Sequence, residues 1–445
     1  MDFSQAVLLL VVLAPGAVFA LLALLWLLNW VPTERVLSRI TAATFSASIL
    51  GLAFIVWKLI STGTASLVVT LGDWFVVHDY HFPVVLMADR LSLPFLGMTT
   101  ILAGLIGQFS ATYLHRDRGF LRFFLLLHLF AFGSLLTFAA GSFDLLVAGW
   151  EMVGITSVLL IAFFQQRPSP VENGLRVFAV YRACDIGLLV GVFAIHHWAH
   201  VESFASGLPA LTGTQQTIVC LLLLLAASGK AAQVPFSGWL PRAMEGPTPS
   251  SAVFYGAISI HAGAYLLLRV QPMLGHSLAS LLVILIGAAT ALYGTIVGRA
   301  SADAKTLLAF ASLTQVGIVF IEVGLGLKWI AVAHILGHAA VRTLQFLRAP
   351  SMLHDYHKMH SAIGGEISSN SKLPEELLPE SAQLWLYRWA LDRGHLDTIL
   401  DRYFVHPLIR LSTWFAKIDN LGLARPVKRE EPPLSLGIAR GQEGD

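Results

Sequence analysis

Charge is scarce in this chain. Of its 445 residues only 13% are Asp, Glu, Lys or Arg, about half the share of an ordinary soluble domain, so most of the chain cannot present a hydrated globular surface. Cysteine is nearly absent. Cys184 and Cys220 both fall inside apolar stretches. They read as small core residues and exclude a disulfide framework or a thiolate metal centre. The formal net charge is only +2, and no basic patch is interleaved with aromatics, so no nucleic-acid partner is expected. Also missing are a Ser-His-Asp set, a Walker phosphate loop, a dinucleotide glycine pattern and a cysteine ligand cluster. No cofactor is expected in this chain, and the expected chemistry is ion relay, not bond making.

Apolar runs fill the space. The chain is 56% hydrophobic, and a membrane span needs about 20 such residues. The pattern predicts an all-α polytopic membrane protein with about eleven spans, near 5–30, 36–60, 89–113, 121–141, 144–164, 174–197, 215–235, 248–271, 278–299, 305–325 and 328–347. The first run is too long for a signal-peptide core and lacks a basic flank, so it reads as a retained helix. Arg35, Arg39, Arg116, Arg118, Arg122, Arg167, Arg176, Arg242, Arg299, Arg348 and Lys358 fall on one side of these spans. Positive loops face the cytoplasm, which predicts an outside N-terminus, an inside C-terminus and residence in a bacterial inner membrane. In the 61–88 loop, Leu67–Thr70 and Trp74–Val77 around Gly72-Asp73 predict a short hairpin capping the helix ends.

The domain reading is a transmembrane unit over 1–350, a polar linker over 351–383, an amphipathic segment over 384–420 and a disordered tail over 421–445. Leu396, Ile399, Leu400, Tyr403 and Phe404 make one helical stripe, opposed by Asp392, Arg393, Asp397, Asp401 and Arg402. Pro407 is expected to kink it, and a second stripe runs through Leu408, Leu411, Trp414, Phe415 and Ile418. An interfacial helix lying on lipid and a docking arm for a partner both fit.

Against this apolar background a few ionisable residues stand out. Lys230 follows the uninterrupted run 218–228, with Pro235 five residues on. A charge at bilayer depth is costly and functional by default. Pro235 breaks the helix, and broken helices build ion sites at mid-depth in transporters. A lysine taken out of water also parts with its proton more readily. Glu151 lies two turns inside span five, since seven residues from Asp144 rise about 10 Å. Arg182 and Asp185 sit three apart on span six and can pair with each other, or one can reach Lys230 or Glu151. His261, and His334, His338 and Arg342 on one face of span eleven, continue the polar series; histidine suits proton hopping. Glu322 and Lys305 lie nearer helix ends, where snorkelling is the default.

These motifs together resemble a family. Trp150-Glu151-Met152-Val153-Gly154, Gly229-Lys230-Ala231-Ala232-Gln233-Val234-Pro235, Trp239-Leu240-Pro241, the run 243–252 and Asp303-Ala304-Lys305-Thr306-Leu307-Leu308-Ala309-Phe310 are similar to the antiporter-like proton-conducting subunits of complex I (L-type) and of Mrp-type cation antiporters. The resemblance covers roughly residues 65–350. It implies an antiporter-like fold with a broken helix at Lys230, and a half-channel in which Glu151 and Lys230 are the coupled pair. Asp185 and Arg182 then modulate that pair, and His261, His334, His338 and Arg342 extend the ion path.

Two departures stand out. The family's histidine at the start of span eight aligns with Tyr255, and the lysine of span eleven with Arg342, which cannot release its proton. The chain also stops spanning after residue 347, so the second inverted repeat is expected to be incomplete. The tail, through Leu384-Trp385-Leu386-Tyr387-Arg388 and 391–408, is most similar to DabB-type inorganic-carbon transporter subunits. That finer likeness implies a large soluble partner of the DabA type, resembling carbonic anhydrase and holding zinc, with membrane lipid and protons or sodium ions as the other partners. The expectation is a transport subunit driving carbon uptake. An ion-pumping subunit of a complex I-like or hydrogenase-like redox complex, a Mrp-type antiporter subunit and a structural membrane anchor are the alternatives.

Overall fold

The computed structural model describes residues 1–77, 80–201, 203–204, 211–255, 257–275, 277–301, 303–363 and 379–422, with the side chains of 254–255, 350–363 and 419–422 left aside. Among the described residues, nine helices are long and apolar enough to cross a membrane. They are α1 (Phe3–Leu27), α2 (Glu34–Thr62), α3 (Ser92–Tyr113), α4 (Phe120–Ala139), α5 (Phe143–Ile161), α6 (Pro168–Ala199), α9 (Leu278–Arg299), α10 (Ala304–Gly324) and α11 (Lys328–Ile363). Between them lie α7 (Gly213–Lys230) and α8 (Ser259–Arg269). α11 runs past its apolar part, Lys328–Ala349, to Ile363; the rest of the predicted linker as far as 378 lies outside the described residues, as does the tail from 423.

Local signals set the helix starts. The Ser142 hydroxyl accepts from the Leu145 amide at the head of α5, and Asp303 accepts from Thr306 at the head of α10. Small residues let the spans close up. A Cβ on Gly149 would stand 2.7 Å from the Gly133 carbonyl, so α4 and α5 meet backbone to backbone. The bundle perimeter is apolar and exposed, at Leu50, Ile60, Phe193 and Leu292 among others. That inversion is expected where the solvent is lipid.

The two predicted spans near 215–235 and 248–271 are the ones the structure breaks. α7 ends at Lys230, because Pro235 has no amide hydrogen and restricts the residue before it. A chain of one-turn helices follows, Phe236–Gly238, Trp239–Arg242, Ala243–Glu245 and Thr248–Ser250, then a π turn at Ser251–Tyr255 before α8. Backbone freed at such a break must find partners inside the protein. The Ser228 carbonyl accepts from the Gln233 amide at 2.8 Å, Ala231 from the Gln233 side chain at 2.9 Å, and Gly229 from the Trp239 indole at 3.0 Å.

One end of the bundle collects the basic helix ends. Glu34 meets His115 at 2.6 Å, Arg122 donates to the Phe163 carbonyl at 2.5 Å, and Ser169 donates to Glu245 at 2.8 Å. The other end carries an antiparallel hairpin, β1 (Ser66–Val77) and β2 (Tyr80–Asp89). Its turn is not at Gly72-Asp73 as predicted. Both predicted arms belong to β1, and Gly72, at φ 100°, lies in an irregular stretch where the register shifts between Thr70 and Asp73. Behind the hairpin, Arg269 of α8 pairs with Asp89 at 2.6 Å and donates to the Tyr265 hydroxyl at 2.6 Å, and Asp144 meets His196 at 3.1 Å.

The amphipathic segment folds back onto the basic end of the bundle. α12 (Glu380–Leu391) leads through a turn at Arg393–His395 to a helix at Leu396–Leu400, a π turn at Asp401–Val405 and α13 (His406–Gly422). The predicted kink at Pro407 takes the form of that wider turn just before it; a proline cannot donate to the turn behind it. The polar side expected to face water is partly buried against the protein. Asp397 pairs with Arg242 at 2.7 Å and Asp401 with Arg176 at 2.6 Å. Of the apolar stripe, Leu400 is buried while Ile399 and Tyr403 are exposed.

Candidate functional site

α5, α6 and the end of α7 bring four ionisable residues together. Lys230, the last residue of α7, is 1% exposed, and Asp185 is 2% exposed. The Lys230 ammonium donates to the Trp150 carbonyl at 3.2 Å and lies over the rings of Tyr181 at 4.2 Å and Trp150 at 4.8 Å. Among the described residues, no carboxylate oxygen comes within 4.0 Å of it. Gly154 makes the room, since a Cβ there would stand 3.0 Å from Nζ.

The cation that does reach the carboxylates is Arg182. One of its nitrogens donates both to Glu151 and to Asp185, the latter at 2.9 Å. The other Asp185 oxygen accepts from the Trp150 indole at 2.6 Å. Glu151 and Lys230, expected as the coupled pair, are therefore not in contact: Arg182 occupies the carboxylate, and Lys230 is held by a carbonyl and two π faces. With all four groups ionised the charges cancel, two negative and two positive, as a buried cluster needs. The arrangement can exchange partners. Arg182 and Lys230 are alternative cations for the same carboxylates, so a shift of one changes the field on the other.

A second chain of polar groups links α8 and α11. His261 Nδ1 lies on the Ala257 carbonyl, which only accepts, so that nitrogen is the donor. In a neutral ring Nε2 then accepts, and its partner is His338 Nδ1 at 3.0 Å. His338 Nε2 accepts in turn from Arg342 Nε at 3.4 Å. The hydrogen bonds thus run in one direction from a fixed charge through two neutral imidazoles. His334 stands apart, held by Glu322 at 2.9 Å and Gln315 at 2.9 Å. The expected His334-His338-Arg342 ladder therefore divides. Glu322 is a half-buried partner and not a snorkelling residue: the α10–α11 hairpin folds it over His334, twelve positions away in the chain. Tyr255, opposite the family's usual histidine, has no described side chain.

Tyr181, Trp239 and Gln315 also belong to the site but are missed by charge-based reading. Each lies inside a quoted or adjacent motif, yet an aromatic or amide in an apolar span has no charge to flag it.

The fold and these clusters define a multi-pass α-helical membrane protein that buries ionisable groups at a broken helix. Residues 140–366 match the family described as NADH:quinone oxidoreductase/Mrp antiporter, transmembrane, and residues 74–124 match the N-terminus of complex I chain 5. The chain belongs to this NADH:quinone oxidoreductase/Mrp antiporter family. It is 37% identical over 279 residues to NADH-quinone oxidoreductase subunit L of Mycobacterium tuberculosis, covering 61% of this chain and 44% of that protein. It is 31% identical over 329 residues to subunit L of Neisseria meningitidis, covering 69% of this chain and 49% of that one. The chain thus spans about half the length of the curated relatives it matches. The Mrp complex from Dietzia sp. DQ12-45-1b has the same fold, with a TM-score of 0.66 over 77% of this chain and 37% of that chain, at 24% identity.

These relatives correct one expectation. They are subunits of NADH-quinone oxidoreductases, and the solved neighbour is part of an Mrp complex, so the soluble DabA-type, carbonic-anhydrase-like zinc partner is overturned. The tail on which it rested folds against this chain's own bundle. The carbon-uptake reading leaned on that partner and loses its support.

Proposed function

We propose that this chain is a proton-conducting, antiporter-like subunit of a complex I-like or Mrp-like membrane assembly, with Lys230 as the residue that takes up and passes on the proton. The observation that carries this is the sharing of carboxylates. Among the described residues Lys230 has no counter-ion in contact, while Arg182 beside it holds both Glu151 and Asp185. When Arg182 leaves Asp185, a protonated Lys230 gains a partner; when Arg182 returns, the proton is released. Moving the charge of Glu151 from outside the chain drives that exchange. The proton then passes toward His261 and His338, whose neutral rings offer one donor and one acceptor each, a relay that a sodium ion cannot use. Arg342 is the fixed charge at its end.

Glu151 and Arg182 also explain why an assembly is proposed. Their side chains stay 23% and 33% exposed, near the middle of α5 and α6. Half-open charges at that depth are costly against lipid tails, so another membrane subunit covers this face. The basic end of the bundle faces the cytoplasm, placing the N-terminus outside and the tail inside.

The test is proton flux in proteoliposomes containing the purified assembly. Lys230→Ala and Glu151→Ala should each abolish flux while inserting normally. Wild-type flux in both, at normal expression, would sink the proposal, and flux that follows sodium in place of protons would reassign the ion.

A further inference from the structure

We propose that the C-terminal segment is a strap that seats the broken helix behind Lys230, with Asp397 as its positioning residue. The proposal rests on the reading of Lys230 as the transfer site. The segment lies beyond residues 140–366, where the family match ends. Asp397 is only 8% exposed. One carboxylate oxygen accepts from Arg242 Nε at 3.0 Å and Nη2 at 2.7 Å, and from Arg393 at 3.3 Å. Its other oxygen lies against Gly238, where any Cβ would collide with it, and is buried without a hydrogen-bond partner among the described residues. Gly238 precedes the one-turn helix Trp239–Arg242, and Arg242 is its last residue. The carboxylate therefore holds the last residue of that turn by hydrogen bonds and packs against the residue before its first.

Two further contacts hold the strap down. The two Asp401 oxygens accept from one edge of Arg176 on α6, Nε at 2.6 Å and Nη2 at 2.7 Å. Phe404 meets Phe236 edge-on at 5.8 Å. From the gripped turn, Trp239 reaches the Lys230 compartment directly. Its indole donates to the Gly229 carbonyl at 3.0 Å, and its ring meets Tyr181 edge-on at 5.2 Å. Tyr181 in turn carries the Lys230 ammonium at 4.2 Å. Releasing Asp397 thus frees the turn bearing Trp239, and with it one wall of the compartment. A tail that merely adds stability would not act at this one wall.

The chain carries its own reporter. Cys184 is buried against Gly229, next to Lys230, and Cys220 is buried in the other half of α7. In the full-length Cys220→Ser protein in membranes, Asp397→Asn and Arg242→Gln should each raise the rate of Cys184 alkylation by N-ethylmaleimide at least tenfold. The reciprocal exchange Asp397→Arg with Arg242→Asp should restore it to within twofold of the parent. Cys220, measured in a Cys184→Ser protein, should keep its slow rate. Parental labelling of Cys184 in folded Asp397→Asn overturns the proposal, and so does an equal rise at both thiols, which marks general loosening. Should Asp397→Asn not fold, Arg242→Gln and the exchange decide. The labelling needs no ion flux. If Cys184 opens while Lys230→Ala still conducts, the strap stands and the proton reading falls; the converse pattern removes the strap alone.

Discussion

Arg182, not Lys230, is the cation in contact with Glu151. The relationship separates the two coupled residues by one exchangeable arm, and it makes Arg182 a control point. Arg182→Gln should leave Glu151 and Asp185 free to hold Lys230 in its charged form. Proton flux in proteoliposomes should fall by about tenfold or more, equivalent to ~1.4 kcal/mol on the limiting step. Arg182→Lys should rescue only in part, since an ammonium cannot reproduce the guanidinium's fixed fork. Wild-type flux in Arg182→Gln would show that the arm is structural.

His338 is the middle of the directional chain from Arg342 to His261. Substituting His338→Ala removes both an acceptor and a donor, and flux should drop about a hundredfold, the low end of what a positioned proton-transfer group contributes. His334 is tied to Glu322 and Gln315 and not to this chain, so His334→Ala should cost less. A larger loss at His334 than at His338 would reverse the assignment.

Asp89 and Arg269 tie the hairpin to α8. Burial works against the Asp89 carboxylate, but the charge and hydrogen bonds of Arg269, with help from Ser92, outweigh it and hold Asp89 below the usual carboxylate range. A depressed folded value means the stabilisation is present above the unfolded value of 3.8 and is lost as pH falls through the folded one. Asp89→Asn strands Arg269 and should cost about 3 kcal/mol at neutral pH. Thermal unfolding in detergent should show that gap constant from pH 8 to pH 5 and closing below about pH 4. A gap that widens in acid would contradict the sign.

α13 leaves Leu411, Trp414 and Phe415 exposed along one side, while Arg410 and Lys417 offer charge for headgroups. We expect this helix to lie on the membrane surface. Brominated lipids should quench the share of fluorescence that Trp414→Phe removes. Unquenched Trp414 would point to a protein covering that side.

Much of the fold is legible in the sequence wherever apolar runs are long and uninterrupted, as at 278–299, where the predicted span and α9 coincide. The break at Lys230 is legible too, because Pro235 forces it. Contacts across the bundle are not legible. Whether Arg182 or Lys230 meets Glu151 depends on the rotation of three helices, which spacing within any one helix cannot supply. Glu322 reads as a helix-end residue until the α10–α11 hairpin closes over His334. Asp397 looks like part of a solvated face, since Arg242, its partner, lies 155 residues away. The hairpin turn is not legible at Gly72, because glycine suits a position that bends a strand as well as one that ends it.

The central claim is that Lys230 binds and releases the transferred proton. Lys230→Arg tests it most directly, since arginine keeps the charge and holds its proton throughout the accessible range. In proteoliposomes under an imposed pH gradient, the account predicts that Lys230→Arg inserts and assembles normally yet conducts no better than Lys230→Ala. Proton flux near the wild-type rate in Lys230→Arg would contradict it, leaving Lys230 as a fixed structural charge.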